Sequence, residues 1–576
     1  MTKNLMVVFG WLVAMQALWA QVPISAGALK RPAADTSTPA IAPPWSMEPW
    51  FWEDDVNTFA AVQDLIDGCK LHDLPLGAVM IDSPWTTAYN NFVFDENRYP
   101  NPRAMIAAWH KVGIRTVLWM ANIVNTAEAK ADAPGSIEDL YAIGKQRGYF
   151  VNGGDPLKWW KGAGGMIDYT NPEAVDWWHR LMDRALSLGV DGWKVDGTAE
   201  MFYRTRRQSS RGTLDFFDYL DLYYRDTLDY GRSYKPDFVT MVRSVDIANS
   251  GGMGIAHAPF DAAPLTWTGD QRHSWGDKGL DEALKSFSRA LELGYPLVSS
   301  DTGGYQTPRG EKGMPRLVFL RWAQWNALTP FFLNGGHDEH RPWKFDQSFF
   351  DTFRRYMWLH HELVPYFYSQ HVQASLREGK LMHPGPRADE YRIGDALLVG
   401  VMTDAKAERD IVFPEGTWLD YWDNKTVYEG GTTAHVAVPE DRSPVFVRLG
   451  SIVALNVEND VVKHGDARSK GWRTLDIYPG DEPSHATVWD TGTFPPRAGL
   501  DRTLVECEPS GEGMTVRLSG GPTRDTILRV RSAKPVEVVG LPKSSWKYDA
   551  ADQRLWVRLA KARDVKVMIR MVRGVN

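Results

Sequence analysis

Charged side chains recur at the ends of short apolar segments in the first two thirds of this sequence. The set contains four carboxylates, one lysine, one arginine and one histidine: Asp82, Lys194, Asp196, Arg243, Asp270, Asp301 and His337. Cleavage of a glycosidic bond needs two carboxyl groups, one ionised and one protonated. Their surroundings must separate the two pKa values, and neighbouring cations keep one carboxylate ionised. These residue types therefore suit nucleophilic and acid–base chemistry on a sugar.

The elements that must position these side chains alternate between strands and helices from Trp45 to about His371. Predicted strands are Ala78–Ile81, Thr116–Met120, Gly192–Val195, Phe238–Val242, Pro264–Thr268, Pro296–Ser299 and Thr329–Leu333. Amphipathic helices are predicted at Pro102–Val112, Pro172–Leu188, Leu280–Leu293 and Arg316–Trp325. Such alternation indicates a parallel sheet, and seven or eight units favour a (β/α)8 TIM barrel over residues 45–371. In such a barrel the charged side chains would converge on the C-terminal rim.

The pattern changes after residue 371 to short alternating segments separated by Gly, Pro and Asp turns. Examples are Ala396–Val401, Asp410–Phe413, Ala434–Val438, Val445–Arg448, Thr515–Leu518, Thr526–Val530 and Val565–Met571. This alternation is typical of antiparallel sheets with one buried face. It predicts two antiparallel β-sandwich domains, over residues 372–454 and 455–576.

The N-terminus carries Lys3 and then an apolar run from about Leu5 to Leu18, with Ala20 at a suitable cleavage position. This order is typical of a secretory signal peptide over residues 1–20, and it predicts a secreted or periplasmic protein. A membrane anchor is the rival interpretation, but the run is short for a span. Residues 21–44 are rich in Pro, Ala, Ser and Thr and are predicted to form a flexible lead-in.

Composition excludes several classes of protein. With 24% charged residues, the chain has a globular composition. Its net charge of -7 gives no excess of basic residues for binding nucleic acid or an anionic membrane. No later segment is apolar enough for stable membrane insertion. Only Cys69 and Cys507 are present, so a disulfide framework is excluded and two buried thiols are expected.

The 25 tryptophans are abundant. Candidate sugar-stacking faces are Trp85, Trp119, Trp193, Trp267, Trp275 and Trp343.

Several motifs together resemble glycoside hydrolase family 31, the retaining α-glycosidases. The matching stretches are FVFDENRYPNP, GMIDYTNPEAVDWW, VDGWKVDG, TMVRS, WTGDQRHSW, SDTGGY, RWAQWNALTPFF and GGH. A later block, from YRIGDALLVGVM to SPVFVRLGSIVAL, resembles the β-sandwich that follows the barrel in that family. The resemblance runs from about residue 50 to 455, in order.

The resemblance implies specific roles. Asp196 matches the family's nucleophile and Asp270 its acid/base, with the two carboxyl groups about 5–5.5 Å apart. Lys194 matches a lysine of the α-xylosidase-like and α-galactosidase-like branches, and Trp119 lies at a strand end that often lines the pocket. Positions that hold the first sugar are matched by Asp82, Arg243, Trp267, Asp301 and His337. No metal and no cofactor is implied.

The implied activity is exo-acting hydrolysis of an α-xyloside, α-galactoside or α-glucoside at the non-reducing end of an oligosaccharide. Two alternatives stay open: an α-transglycosylase with the same site, and a carbohydrate-binding protein on a dead catalytic scaffold. The oligomeric state also stays open. Asp82-Ser83-Pro84 departs from the Asp-x-Asp of the α-glucosidase branch, which with Lys194 favours xylosidase-like or galactosidase-like specificity.

The pocket wall is a second departure. Most members place a large β-sandwich before the barrel, and one of its loops helps to close the pocket. Here only residues 21–44 separate the predicted signal peptide from the barrel. We expect a more open pocket, or a wall from a barrel loop or another subunit. Residues 197–235 are a candidate lid whose arginines could meet an acidic substrate: Arg204, Arg206, Arg207 and Arg211.

Other motifs have simpler interpretations. His337-Asp338-Glu339-His340 lacks the spacing of a helical metal site and is interpreted as a substrate-binding His337 followed by a loop. A Schiff-base role for Lys194, as in an aldolase, would leave both catalytic aspartates without a function. Residues 251–254 are glycine-rich but lack the context of a nucleotide site. Trp177 and Trp178 are assigned to the core and Asp168 to a structural role at a helix start.

Overall fold

The computed structural model describes residues 39–128, 132–197, 207–246, 257–276, 278–308, 310–534 and 536–572. The predicted signal peptide, most of the lead-in, the glycine-rich residues 251–254, Arg204 and Arg206 lie outside these ranges. Within the described ranges, no helix combines the length and the apolar character needed to cross a bilayer.

An eight-stranded parallel sheet forms the centre of the fold. Its strands are β1 (Trp50–Glu53), β2 (Ala78–Ile81), β3 (Arg115–Met120), β4 (Gly192–Val195), β5 (Val239–Val242), β6 (Leu265–Trp267), β7 (Val298–Ser299) and β8 (Leu333–Asn334). Neighbours pair in the order β7-β6-β5-β4-β3-β2-β1-β8. A parallel bridge between Asp301 and Leu333 joins the two ends of this sheet. The predicted TIM barrel is therefore confirmed.

Eight α-helices accompany the strands in the described residues. They are α1 (Phe59–Leu71), α2 (Pro102–Lys111), α3 (Leu140–Gln146), α4 (Pro172–Leu186), α5 (Phe216–Tyr234), α6 (Leu280–Leu293), α7 (Arg316–Asn326) and α8 (Gln347–Ser375). Side-chain caps stabilise the first turns of two of these helices: Asn171 caps α4 and Asp346 caps α8. Between β5 and β6 the described residues contain only the 3-10 turn Phe260–Ala262.

The first barrel strand was not among the predicted strands. The sequence pattern placed the first strand at Ala78–Ile81, but β1 precedes it and pairs with both β2 and β8. Its residues Trp50, Phe51 and Trp52 are almost fully buried. Two indoles in a four-residue strand do not produce the aliphatic run by which buried parallel strands are recognised. Asp54 and Asp55, which follow β1, were therefore missed as well.

A long excursion separates β3 from α4. It contains α3 and a small antiparallel sheet of Ile123–Asn125, Leu157–Trp159 and Gly162–Met166. Gly164 allows the central pairing, because a Cβ there would lie 2.3 Å from the carbonyl oxygen of Val124. After β4 a short hairpin, Arg207–Ser209 with Gly212–Leu214, leads into α5.

The C-terminal part is built from antiparallel sheets, as predicted. The proximal sheet holds Met382–Pro384, Glu390–Ile393, Leu397–Gly400, Thr417–Asp420, Val427–Glu429 and Val445–Arg448, beside the pair Glu408–Val412 and Thr433–Ala437. One distal sheet holds Ser451–Leu455, Arg473–Tyr478, Arg524–Arg531, Trp546–Asp549 and Arg554–Ala562. The other holds Ser484–Trp489, Arg502–Ser510, Gly513–Gly520, Val536–Val539 and Val565–Met571. One pair, Arg473–Tyr478 with Arg524–Arg531, is parallel.

The barrel and the distal sandwich have separate apolar cores. Trp177 and Trp178 of α4 belong to the barrel core, and Cys69 and Cys507 are buried free thiols, which confirms these predictions. On the opposite face of one distal sheet lies a buried ionic group: Asp476 accepts hydrogen bonds from Arg529 and from Arg554.

This ionic group yields a stability prediction. Asp476→Asn leaves two guanidinium groups buried without their counterion, so we expect a loss of about 3–5 kcal/mol in the free energy of unfolding. Urea unfolding followed by tryptophan fluorescence measures the change. The control is Asp481→Asn, which alters an exposed turn residue and should change stability by less than about 0.5 kcal/mol. Equal effects of the two variants would contradict the prediction.

Candidate active site

One pocket of about 530 Å³ opens at the C-terminal rim of the barrel. Because parallel strands end on the same rim, side chains that follow different strands meet there. Seven of the nine predicted site residues line the pocket: Asp82, Trp119, Lys194, Asp196, Arg243, Asp270 and His337. The other two, Trp267 and Asp301, are fully buried behind the lining.

Arg243 joins the two aspartates that were predicted to react. Its Nε donates to Asp196 Oδ1 at 3.1 Å, and its Nη2 donates to Asp270 Oδ1 at 2.9 Å. The third nitrogen, Nη1, donates to Asp246 Oδ2 at 2.6 Å. Asp246 is buried and was not predicted. It restricts the guanidinium to one orientation, so the carboxyl groups of Asp196 and Asp270 are both held on one rigid donor.

Asp196 is held as a carboxylate. Trp119 Nε1 donates to Oδ2 at 3.0 Å, and the Gly197 amide donates to Oδ1 at 2.8 Å. Burial opposes ionisation, but Arg243, Lys194 and these two donors outweigh it and lower the pKa of Asp196. An ionised carboxylate is the form required of a nucleophile.

Asp270 has the opposite tendency. Burial and the charge of Asp196 raise its pKa, although Arg243 and Lys194 act against them. Its side chain is 28% exposed, compared with 10% for Asp196, so it stands nearer to the pocket mouth. Two neighbouring carboxyl groups thus have pKa values displaced in opposite directions, which is the condition for one ionised and one protonated group.

Lys194 forms the floor of the pocket with Asp82. Its Nζ donates to Asp82 Oδ2 at 2.7 Å, and the Ser83 amide donates to Asp82 Oδ1 at 2.7 Å. Burial disfavours the ammonium, but Asp82, Asp301 and Asp196 outweigh it and raise the pKa of Lys194. A protonated amine is not a nucleophile, so this environment disfavours the Schiff-base alternative.

Trp267 and Asp301 lie behind this floor. The ring centroid of Trp267 is 4.7 Å from Arg243 Cζ and 5.2 Å from Lys194 Nζ, so two cations contact the indole. Burial raises the pKa of Asp301 well above its usual range. Neither of its carboxylate oxygens has a hydrogen-bond partner among the described residues.

A wall that was not predicted follows β1. Asp54 accepts a hydrogen bond from the Tyr305 hydroxyl at 2.7 Å and lies 3.4 Å from His337 Nε2. His337 Nδ1 lies 2.8 Å from Asp55 Oδ1. Burial, with the charge of Asp82, raises the pKa of Asp54 to about 7. His337 is therefore held between two acidic side chains. Prediction of β1 would have revealed both, because they follow a strand end.

The excursion after β3 contributes another part of the wall. Asp132, Trp160 and Lys161 line the pocket together with the catalytic candidates. Of the candidate lid 197–235, only Gly197 lines the pocket among the described residues. Arg207 is 1% exposed and Arg211 lies outside the lining. This part of the wall thus comes from an excursion of the barrel itself.

The remaining motifs take no part in the pocket. Asp338 accepts a hydrogen bond from Thr307, and Glu339 accepts one from Arg341. His340 is buried against the Gly304 carbonyl. These three neighbours of His337 therefore have separate partners. Among the described residues no cluster of three or more His, Cys, Asp or Glu is arranged for a metal ion. Asp168 accepts from Thr170 and Ser210, which confirms its structural role. Of the candidate stacking tryptophans, only Trp119 lines the pocket.

Comparison with known families agrees with this geometry. Residues 39–370 match the glycosyl hydrolases family 31 TIM-barrel domain, which is more than half of the chain. The chain belongs to glycosyl hydrolase family 31. Residues 365–453 match the C-terminal domain of the same family. The family 31 assignment thus covers the barrel and the proximal sandwich.

Two curated relatives illustrate the range of this family. The chain is 26% identical over 474 residues to alpha-glucosidase 2 of Bacillus thermoamyloliquefaciens, covering 76% of this chain and 56% of the relative. It is 25% identical over 460 residues to an alpha-xylosidase of Emericella nidulans, covering 74% and 55%. The chain therefore spans about half the length of these relatives.

A solved family 31 structure shares the fold. It is a dextranase of Flavobacterium johnsoniae complexed with glucose, with a TM-score of 0.78 and 19% identity. The match covers 93% of this chain and 71% of the dextranase. The similarity therefore extends beyond the barrel into the distal sandwich.

The buried arginine yields a pH-dependent stability prediction. In Arg243→Met, Asp196 loses the guanidinium that chiefly offsets its burial, and we expect a loss of about 3–5 kcal/mol in unfolding free energy at pH 7. The loss should be smaller at pH 5, because a carboxyl group without its cation takes up a proton more readily. Urea unfolding at both pH values measures this difference.

The control is Arg98→Met. Arg98 also lines the pocket, but its side chain is 31% exposed and lies 3.6 Å from Asp95. Its removal should change stability by less than about 1 kcal/mol at either pH. A loss for Arg243→Met that is the same at pH 5 and pH 7 would show that the arginine does not balance buried carboxylates.

Proposed function

We propose that this protein is a retaining, exo-acting α-glycoside hydrolase that acts on the non-reducing ends of oligosaccharides. One observation carries the proposal: Arg243 bonds two aspartates whose pKa values are displaced in opposite directions. A carbohydrate-binding protein without catalysis needs no such pair. Membership of family 31 supports the same class of reaction.

In the first step Asp196 attacks the anomeric carbon of the substrate. The bond from that carbon to the leaving oxygen breaks, and the oxygen takes the proton of Asp270. An ester between the sugar and Asp196 forms, with the configuration at the anomeric carbon inverted. The donors on Asp196 hold the attacking oxygen in place, and the more exposed Asp270 stands where a leaving group can depart.

In the second step the aglycone leaves and water takes its place. Asp270, now ionised, accepts a proton from the water as its oxygen attacks the anomeric carbon. The ester bond to Asp196 breaks, the second inversion restores the α configuration, and Asp270 is protonated again. An acceptor sugar in place of water would give transglycosylation. Product analysis at high acceptor concentration distinguishes hydrolysis from transfer.

The shape of the pocket supports exo action. Its deep end is closed by the nearly buried Lys194 and Asp82, with side chains only 4% and 8% exposed. A single terminal sugar can enter such a pocket, with its hydroxyls near these charged groups. A similar α-glucosidase and α-xylosidase support glucose and xylose as candidates, and Lys194 favours xylose or galactose.

A panel of aryl α-glycosides tests the proposed activity. Glucosides, xylosides, galactosides and N-acetylgalactosaminides differ only in the terminal sugar, so the rates identify the sugar directly. We expect turnover of at least one member, with discrimination by roughly 10- to 200-fold for one altered pocket contact. A protein that binds sugars but turns over none of the panel would contradict the proposed function.

Removal of the nucleophile tests the role of Asp196. We expect Asp196→Ala to lose hydrolysis by at least about 10⁴-fold. Added azide should restore turnover of an activated aryl glycoside and give a β-glycosyl azide, because the anion attacks once from the vacated side. Nuclear magnetic resonance of the product measures its configuration. Asp155→Ala, at an exposed aspartate of the excursion after β3, is the control and should retain full activity.

The opposite displacements of the two pKa values yield a pH prediction. Activity requires protonated Asp270 and ionised Asp196, so kcat/KM should fall on the acid side as Asp196 gains a proton. It should also fall on the alkaline side as Asp270 loses its proton. In Asp270→Asn, the residual activity on an activated aryl glycoside should keep the acid limb and lose the alkaline limb. Survival of the alkaline limb would assign it to another group.

We further propose that the protein is exported. Lys3 and the apolar run that follows it are typical of a signal peptide, and a polymeric or oligomeric carbohydrate is a common extracellular substrate.

A further inference from the structure

Trp160 stands apart from the other tryptophans of the barrel. It lies at the turn between the second and third strands of the excursion and is 50% exposed. The other 16 tryptophans between Trp45 and Trp358 are buried or half-buried. Because Trp160 also lines the pocket, its indole offers a bound ligand a large flat apolar face on which a ring can stack.

The turn that carries Trp160 is held in place. Trp159 stacks on Trp119, with ring centroids 6.2 Å apart and an interplanar angle of 10°, and its Nε1 donates to Asn125 Oδ1 at 2.7 Å. Asn125 Nδ2 in turn donates to the Lys161 carbonyl at 2.7 Å. The residues on both sides of Trp160 are thus fixed to the barrel and to the excursion sheet.

A charged pair lies beside the exposed ring. Lys161 Nζ donates to Asp132 Oδ2 at 2.7 Å, and the Tyr89 hydroxyl donates to Asp132 Oδ1 at 2.6 Å. The two charges compensate each other, so this part of the wall has polar atoms for hydroxyl groups but no net charge. It therefore suits a neutral sugar better than an acidic or a basic one.

A chain of contacts relates Trp160 to the chemistry. Trp119 donates to Asp196, Trp159 stacks on Trp119, and Trp160 contacts Trp159 edge to face at 5.3 Å between ring centroids. Trp160 lines the pocket and is half exposed, so its ring lies at the mouth, two ring contacts and one hydrogen bond from Asp196. In a pocket closed at its deep end, the leaving group occupies the mouth.

We propose that Trp160 is the stacking platform of the leaving-group subsite, and that this subsite takes a neutral sugar ring. The inference rests on the proposed function and adds the nature of the leaving group. The apolar face of a sugar ring would lie on the indole, and its hydroxyls would bond Lys161 and Asp132. The preferred substrate is therefore an α-linked disaccharide or longer oligosaccharide.

Two substrates with the same glycone test this subsite. An α-glycosyl fluoride reacts at the same two aspartates but has no ring in its leaving group. For Trp160→Ala we expect kcat/KM on the α-linked disaccharide to fall about tenfold or more, as expected for loss of one aromatic stacking contact. On the fluoride the change should stay below about twofold. The unchanged rate on the fluoride also shows that the variant is folded.

Two further variants sharpen the comparison. Trp160→Phe keeps a flat ring and should recover most of the rate on the disaccharide. Ile137→Ala removes a fully exposed apolar side chain from the same excursion, outside the pocket, and should change neither rate. Equal losses on both substrates, or no loss on the disaccharide, would overturn the subsite while leaving the proposed function intact. A wild-type protein that turns over neither substrate would overturn both.

Discussion

The active site depends on the placement of one guanidinium group among three aspartates. Arg243 donates hydrogen bonds to Asp196, Asp270 and Asp246. The indole of Trp267 lies against its guanidinium group and further restricts the position of that group. Buried carboxylates are unstable without a compensating charge, so this cation makes the cluster compatible with a folded barrel. The same bonds restrict Asp196 and Asp270, the two groups proposed to react, to neighbouring positions. The stability of the fold and the pre-organisation of the site therefore depend on the same guanidinium group. Asp246, which was not predicted, is one of its three hydrogen-bond acceptors.

The barrel and its excursion divide the work of forming the pocket. The strand ends provide charges at fixed positions on one rim, because parallel strands all end there. The mouth is built differently, by a small sheet that leaves the barrel after β3 and returns with Trp160 and Lys161 in its turn. The residues at the strand ends can therefore keep the same chemistry while the recognition surface on the excursion varies.

Much of the fold was predictable from local pattern. The bounds of β2, β4 and α6 match the predicted ranges, because aliphatic runs and helical periodicity are strong local signals. The strand β1 was missed because its indoles hide the usual aliphatic signature, and with it the wall of Asp54 was missed. The exposed Trp160 was also missed, since exposure of an aromatic residue has no local sequence signal.

The sequence by itself determined the family, the barrel and the residue types that gather at its rim, because motif order and strand ends are properties of the chain. Only the tertiary structure decided which groups bond one another. It placed Trp267 behind two cations, put His337 between Asp54 and Asp55, and brought the excursion to the pocket mouth. The physical reason is that pKa values, burial and stacking depend on neighbours distant in sequence, which only folding brings into contact.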